Sequence, residues 1–214
     1  MSQVGGFVAG PINPVRASSH RGIGSHAACG SGAGFREDEQ PGKAKPEKIP
    51  TLKPAFRPGG TVTAANASSI SDGAAALVLM RLSEAERRGV EPLAAIRGHA
   101  GHARAPAWFT TAPVGAVEAL LERVGWRPRD VDLFEVNEVF AVVVLAAMRE
   151  LDLPLDKVNV HDGACTLGHP IGASGARILV TLLAALRTHG LRRGVATLCI
   201  GGGEATAVAV ERLS

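Results

Sequence analysis

Four short stretches of this sequence pair reactive, amide or hydroxyl side chains with glycine and other small residues, a pattern suited to proton transfer and to holding a developing oxyanion. The densest is 162–175, where Gly168, Gly172 and Gly175 frame His169 and Pro170 just ahead of a long periodic apolar segment. Pro170 suits the first turn of a helix. The positive end of a helix disfavours imidazolium, so His169 is expected to stay neutral and able to accept a proton near pH 7. The alternative is a helix start against which His169 packs passively. The spacing G-x-x-x-G-x-x-G is neither the dinucleotide fingerprint nor a P-loop. His161, Cys165 and His169 recur every four residues, as ligands on one helix face would. Gly163, Gly168 and Pro170 interrupt any such helix, so no metal site is expected.

The second stretch is 196–204, in which Cys199 meets Gly201, Gly202 and Gly203. Glycine amides can hold a developing oxyanion, and a Cys beside such donors can have a lowered pKa. A buried structural Cys before a tight turn is the competing reading. The third is 136–141, where Asn137 stands at an expected strand-to-helix junction, either as a helix N-cap or as an amide aimed into a site. The fourth, 60–76, is a run of small and hydroxyl side chains, read as a polar loop or as a surface against a ligand.

These residues need elements to hold them. The spacing predicts strands over 61–64, 74–80, 93–96, 131–136, 158–160, 195–200 and 205–210. It predicts a short helix over 83–88, capped by Ser83 and stopped by Gly89. A helix over 113–124 places Val114, Val117, Leu120, Leu121 and Val124 on one face and ends at Gly125. The segment 138–149 is apolar on nearly all sides and is expected to be a buried helix; 171–188 is expected to be a second core helix stopped by Gly190. Strands alternating with helices give an α/β fold class. Residues 1–36 are rich in Gly, Ser, Ala, His and Arg without persistent period, and 37–54 carry four prolines in an extended, charged segment.

Composition bounds the rest. The 214 residues are 46% hydrophobic and 20% charged, as in globular proteins. The net charge of +3 is spread along the chain, and aromatics are 4%, so a nucleic-acid partner is not expected. The longest apolar run, 139–148, is too short to span a bilayer, and no secretory leader is visible, so a cytoplasmic protein is expected. Three cysteines, Cys29, Cys165 and Cys199, fit a reducing compartment.

In order along the chain stand GTVTAANASSISDGAAA (60–76), WFTTAP (108–113), NEVFA (137–141), HDGACTLGHPIGASGAR (161–177) and CIGGG (199–203). Together they resemble the thiolase family, the acetyl-CoA acetyltransferases and 3-ketoacyl-CoA thiolases, over roughly residues 38–214. Val139, Asp162, Thr166 and Glu204 depart from the family's usual residues without removing a reactive group.

The resemblance implies a layered α/β thiolase fold: a complete C-terminal half at 93–214, the end of the N-terminal half at 37–92, and an atypical segment at 1–36. It implies condensation of two acetyl-CoA to acetoacetyl-CoA and CoA, or the reverse thiolysis, with CoA thioesters as substrates and no further cofactor. It implies that His169 activates a nucleophilic Cys, that Cys199 is the acid/base Cys, that Asn137 holds an oxyanion-hole water and that Gly201 donates to a second oxyanion hole. Ser68, Ala64, Phe56 and Phe140 match the CoA-binding surface. The family's nucleophile lies in a segment ending C-x-S-G, which Cys29-Gly-Ser-Gly32 spells, making Cys29 the candidate nucleophile and a chance match the alternative. A homo-oligomer is implied if the full fold is present. The competing function is a shortened, inactive remnant that serves as a CoA-binding or interaction module.

Overall fold

The computed structural model describes the backbone of residues 7–9 and the whole of residues 42–213. The chain divides into two compact units, 11–53 and the remainder. Of the first, the described part holds a 3₁₀ turn at Pro46–Thr51, with Pro50 inside it.

The second unit is built on a sheet that has six strands among the described residues: β1 (Phe7–Ala9), β2 (Leu79–Met80), β3 (Pro92–Ala103), β4 (Leu133–Val136), β5 (Arg193–Ile200) and β6 (Glu204–Arg212). Their order is β2-β1-β3-β6-β5-β4. β4 and β5 are parallel, with Val136 opposite Thr197; the other neighbours run antiparallel. A parallel pair needs a long crossover. Here it is the stretch carrying α3 (Ala141–Glu150), α4 (Ala164–Leu167) and α5 (Ser174–Thr188). Before them come α1 (Leu82–Arg87) and α2 (Ala112–Val124).

Alternation along the strands supplies two cores, one on each face. Phe134, Val136, Val195, Cys199, Ala205, Ala207 and Ala209 pack with Val117, Leu120 and Leu121 of α2 and Val143, Val144 and Ala147 of α3. The small side chains of β6 let α2 lie close to the sheet. On the opposite face Ala94, Leu133, Ala196 and Val210 meet Ile178, Leu182, Leu183, Ala185 and Leu186 of α5. Glu135 alternates with Phe134 and Val136 and therefore belongs to the α5 side.

The α/β class and most helices stand as read from sequence, with instructive differences. Gly125 and Gly190 do end their helices, at φ +70° and +67°, values that cost glycine little. α1 starts at Leu82 with Arg81 as N-cap and no side-chain cap, so Ser83 lies inside the helix. Residues 61–64 form no strand, and of 74–80 only Leu79–Met80 pairs. Both stretches have strand-like composition but lack a continuous partner. The strand expected at 93–96 continues to Ala103, because β6 pairs with it throughout, across a bulge between Ile96 and Gly98. The strand expected at 158–160 is reduced to one bridge, Phe134 to Val158.

α3 begins at Ala141 and is not buried all round: Val142 and Leu145 are 40% and 62% exposed. α5 begins at Ser174, five residues after His169. No helix among the described residues is long and apolar enough to cross a membrane.

Candidate active site

β4 ends at Val136, and Asn137 continues its ladder by donating its N–H to the Thr197 carbonyl at 3.0 Å. Asn137 is therefore at the C-terminal edge of the parallel pair, the edge at which α/β sheets place ligands. Two residues beyond Thr197 on β5 is Cys199, buried, with Gly201–Gly203 forming the 3₁₀ turn that follows. Asn137 is 1% exposed and does not cap α3, whose N-cap is Phe140.

The outer edge of β4 is met by Val158, which bridges Phe134, by the Asn159 N–H, which donates to the Phe134 carbonyl at 2.9 Å, and by the Asn159 side chain. Asn159, at φ +49°, accepts from the Val136 N–H at 2.8 Å and donates to the Val136 carbonyl at 2.9 Å, imitating a neighbouring strand. Its Nδ2 also donates to Glu138 at 3.0 Å, and Glu138 accepts the Cys165 N–H at 2.9 Å. The Glu138 carboxylate occupies the space a Cβ on Gly163 would need, 2.1 Å away. Absence of a side chain at Gly163 thus lets Glu138 reach the start of α4.

His169 meets Asn137 from the other chain segment. The loop at 66–70 stitches the two together: Ser68 N–H donates to the Val139 carbonyl at 3.1 Å, and His169 N–H donates to the Ser69 carbonyl at 2.9 Å. His169 is 9% exposed. Its Nδ1 lies 2.6 Å from Ser174 Oγ and 3.5 Å from Asn137 Nδ2. Arg177 Nη2 donates to Asn137 Oδ1 at 3.3 Å, which fixes the amide with its N–H₂ toward the imidazole. An amide nitrogen can only donate. Ser174 Oγ has a single proton, within reach of both Nδ1 and the Pro170 carbonyl at 3.1 Å, and the tautomer of the ring follows from which of the two receives it. Burial lowers the His169 pKa from its ordinary 6.5, and the Arg177 charge lowers it further, both of which favour the neutral imidazole.

The thiols differ from expectation. Burial pushes Cys199 up, outweighing the favourable backbone hydrogen bond, so glycine amides nearby do not make it a ready thiolate. Cys165 is raised to about 11 by burial and the Glu138 carboxylate. Burial likewise raises Glu135 to about 8 despite the opposing Arg177 charge.

The residues matched to a CoA surface are grouped by the same loop. Ser68 Oγ donates to the Val139 carbonyl at 3.1 Å, one residue before Phe140. The Phe56 and Phe140 rings meet edge to face at 5.4 Å, and Phe109 adds a third ring 6.3 Å from Phe140. Phe56 is 71% exposed, and Ala64 is exposed on the same loop region. Gly201 is exposed at the β5–β6 turn. Cys29 lies outside the described residues. Among the described residues no group of three or more His, Cys, Asp or Glu is placed to hold a metal ion.

Sequence reasoning missed Ser174, Arg177, Glu138 and Asn159. Each sits inside or beside a motif it had marked, but only the fold shows which group each one touches.

Two family models match the chain: the thiolase C-terminal domain over residues 90–212 and the thiolase N-terminal domain over residues 14–83. A probable acetyl-CoA acetyltransferase of Dictyostelium discoideum is 51% identical over 177 residues, covering 83% of this chain and 43% of that protein. Acetyl-CoA acetyltransferase 1 of Arabidopsis thaliana is 47% identical over 204 residues, covering 95% and 48%. The crystal structure of the Bacillus anthracis acetyl-CoA acetyltransferase superposes with a TM-score of 0.79 at 46% identity, over 85% of this chain and 46% of that one. Human mitochondrial 3-ketoacyl-CoA thiolase in complex with CoA gives 0.73 at 38% identity, over 79% and 43%. The chain thus spans a little under half the length of the curated relatives it matches. With the sheet, the Asn137–His169 pair and both family models in agreement, the chain belongs to the thiolase family.

Proposed function

We propose that the protein takes part in acyl transfer between CoA thioesters: condensation of two acetyl-CoA to acetoacetyl-CoA and CoA, or the reverse thiolysis. The observation that carries this reading is the buried Asn137–His169–Ser174 constellation at the sheet edge beside Cys199, in a chain of this family. The names of its relatives supply the acetyl donor, and two structural neighbours solved with CoA supply the ligand class.

In this reading the proton of a nucleophilic thiol passes to His169, and the thiolate attacks the thioester carbonyl, expelling CoA thiol. Cys29 is the candidate nucleophile. Cys199 then removes the α-proton of a second acetyl-CoA. A thiol raised by burial is a scarce thiolate but a stronger base, which suits a weakly acidic carbon. The carbanion attacks the acetyl-enzyme, releasing acetoacetyl-CoA and restoring the nucleophile. Asn137, through a water, with His169 Nε2–H stabilises one oxyanion, and the Gly201 amide the other. Ser68, Ala64, Phe56 and Phe140 would border the pantetheine arm.

The second reading is a CoA-binding or interaction module without turnover. One experiment separates them. After incubation with acetyl-CoA, intact and peptide mass spectrometry should find an added acetyl group on Cys29, absent in Cys29→Ser. Acetylation at no cysteine sinks the enzymatic reading of this chain.

A further inference from the structure

Asn137 and His169 stand 32 residues apart in sequence, and their side chains meet at 3.5 Å. Such a contact is only as well defined as the ties between the two segments that carry it. One tie is the 66–70 loop, whose Ser69 carbonyl accepts the His169 N–H. Arg177 holds the far end of the Asn137 amide. The backbone on either side of Asn137 is held by a pair of side chains, Asn159 and Glu138.

Asn159 spends its whole amide on this task. Its Oδ1 accepts the Val136 N–H at 2.8 Å, and its two Nδ2 protons go to the Val136 carbonyl at 2.9 Å and to Glu138 Oε1 at 3.0 Å. Asn137 thus lies between two residues gripped by one side chain. The other carboxylate oxygen, Glu138 Oε2, accepts the Cys165 N–H at 2.9 Å, and the Cys165 thiol donates to the Glu138 carbonyl at 3.6 Å. Cys165 is in the first turn of α4, where an N–H has no helical acceptor of its own. Only the rest of α4 and Gly168 separate it from His169. One chain of hydrogen bonds therefore runs from the end of β4 through Asn159 and Glu138 to the segment that carries the imidazole. The choice of residues fits the task. Asn159 is at φ +49°, a conformation that Asn tolerates and most side chains do not. A carboxylate at 138 makes stronger hydrogen bonds to both donors than a neutral acceptor would.

We propose that Asn159 and Glu138 are positioning residues that set where Asn137 stands relative to His169. They act through the backbone at 136–138 and through α4, and they need no contact with substrate. The significance for catalysis rests on the reading of Asn137 and His169 as the reacting pair; the positioning itself does not.

Nuclear magnetic resonance on the full chain tests this without turnover. In the wild-type protein the Asn137 Hδ2 protons should show a nuclear Overhauser contact to the His169 ring, and the Cys165 N–H should exchange slowly with solvent. Asn159→Gly keeps the left-handed backbone without strain and removes only the grip; it should lose the contact between Asn137 and His169. Asn159→Asp sets two carboxylates against each other. It should lose the same contact and speed Cys165 N–H exchange roughly tenfold or more. Adding Glu138→Gln to Asn159→Asp exchanges donor for acceptor, since the new amide can donate to position 159 and still accept from Cys165. The double variant should recover both signals. Where the wild-type chain takes up an acetyl group, Asn159→Gly should slow that step at saturating acetyl-CoA by roughly tenfold to a hundredfold and leave the half-saturating concentration unchanged.

Absence of the wild-type contact, or a freely exchanging Cys165 N–H, overturns the proposal whether or not the variants fold. So does a folded Asn159→Gly that keeps the contact, or a folded double variant no better than Asn159→Asp. A purely structural pair would change the melting temperature and leave the contact in place. Failure of acetylation at Cys29 would leave the resonance outcomes untouched, so the two readings fail separately.

Discussion

Glu135 is 2% exposed in the middle of β4 on the side facing α5. Burial raises its carboxyl to about 8, so the folded chain holds a proton at pH 7 that the unfolded chain releases near the ordinary value of 4.5. The sign follows: a carboxyl raised on folding contributes less stability as pH climbs from 4.5 toward 8. Glu135→Gln, which keeps the shape and loses the proton, is expected to flatten that slope and to be the more stable protein at pH 8. Urea denaturation across pH 5–8 measures it, and parallel slopes for both proteins would refute the assignment. At Gly163 the constraint is steric. Alanine there would set a Cβ 2.1 Å from the Glu138 carboxylate. Gly163→Ala is expected to cost roughly 1–3 kcal/mol, the usual range for overpacking, and to free the Cys165 N–H to exchange faster with solvent. His169 and Asn137 were legible from type and context, since glycine-framed His and Asn after a strand are local signals. Ser174, Arg177, Glu138 and Asn159 were not: their hydrogen bonds reach as far as 40 residues along the chain, and nothing in the local sequence specifies the partner.

Elements were read well where a single segment decides the outcome. α2 was legible because Val117, Leu120 and Leu121 recur at helical spacing and Gly125 supplies the stop. Strands depend on a partner. β3 runs past the predicted end because β6 pairs with it to Ala103, and 74–78 stays unpaired despite an apolar run fit for a strand. The same pairing brings Arg97 on β3 within 2.7 Å of Glu211 on β6, with Arg193 on β5 at 3.4 Å. Burial raises Glu211, but the Arg97 hydrogen bond and the Arg97 and Arg193 charges together pull it below its ordinary 4.5. A lowered carboxyl contributes stability above 4.5 that is lost as pH falls further. Arg97 and Arg193 are 43% and 38% exposed, so solvent discounts the pairs. Glu211→Gln is expected to destabilise by about 1 kcal/mol at pH 7, with the difference from wild type vanishing in acid. A difference that stays constant as pH falls would point to packing instead of charge.

For the whole molecule, both faces of the sheet are covered by helices, yet large apolar side chains remain outside. Val142 and Leu145 stand exposed on α3, Ile171 is 66% exposed ahead of α5, and Ile70 is 88% exposed in the loop that joins Asn137 to His169. The sequence of α3 is that of a helix enclosed on all sides, while its fold encloses one side. A surface of that kind associates, because burying each such side chain is favourable by about 1.5–3 kcal/mol. The chain is accordingly expected to self-associate with rising concentration in sedimentation-velocity or light-scattering measurements. Val142→Lys combined with Leu145→Lys is expected to shift it toward monomer. Because neither side chain is part of a core, unfolding free energy should change by no more than about 0.5 kcal/mol. By contrast Val143→Ala, which opens the fully buried face of the same helix, should cost about 1–3 kcal/mol and leave association as it was. A wild-type chain that stays monomeric at high concentration, or a double variant that loses stability as Val143→Ala does, would show that the outer face of α3 is not an association surface.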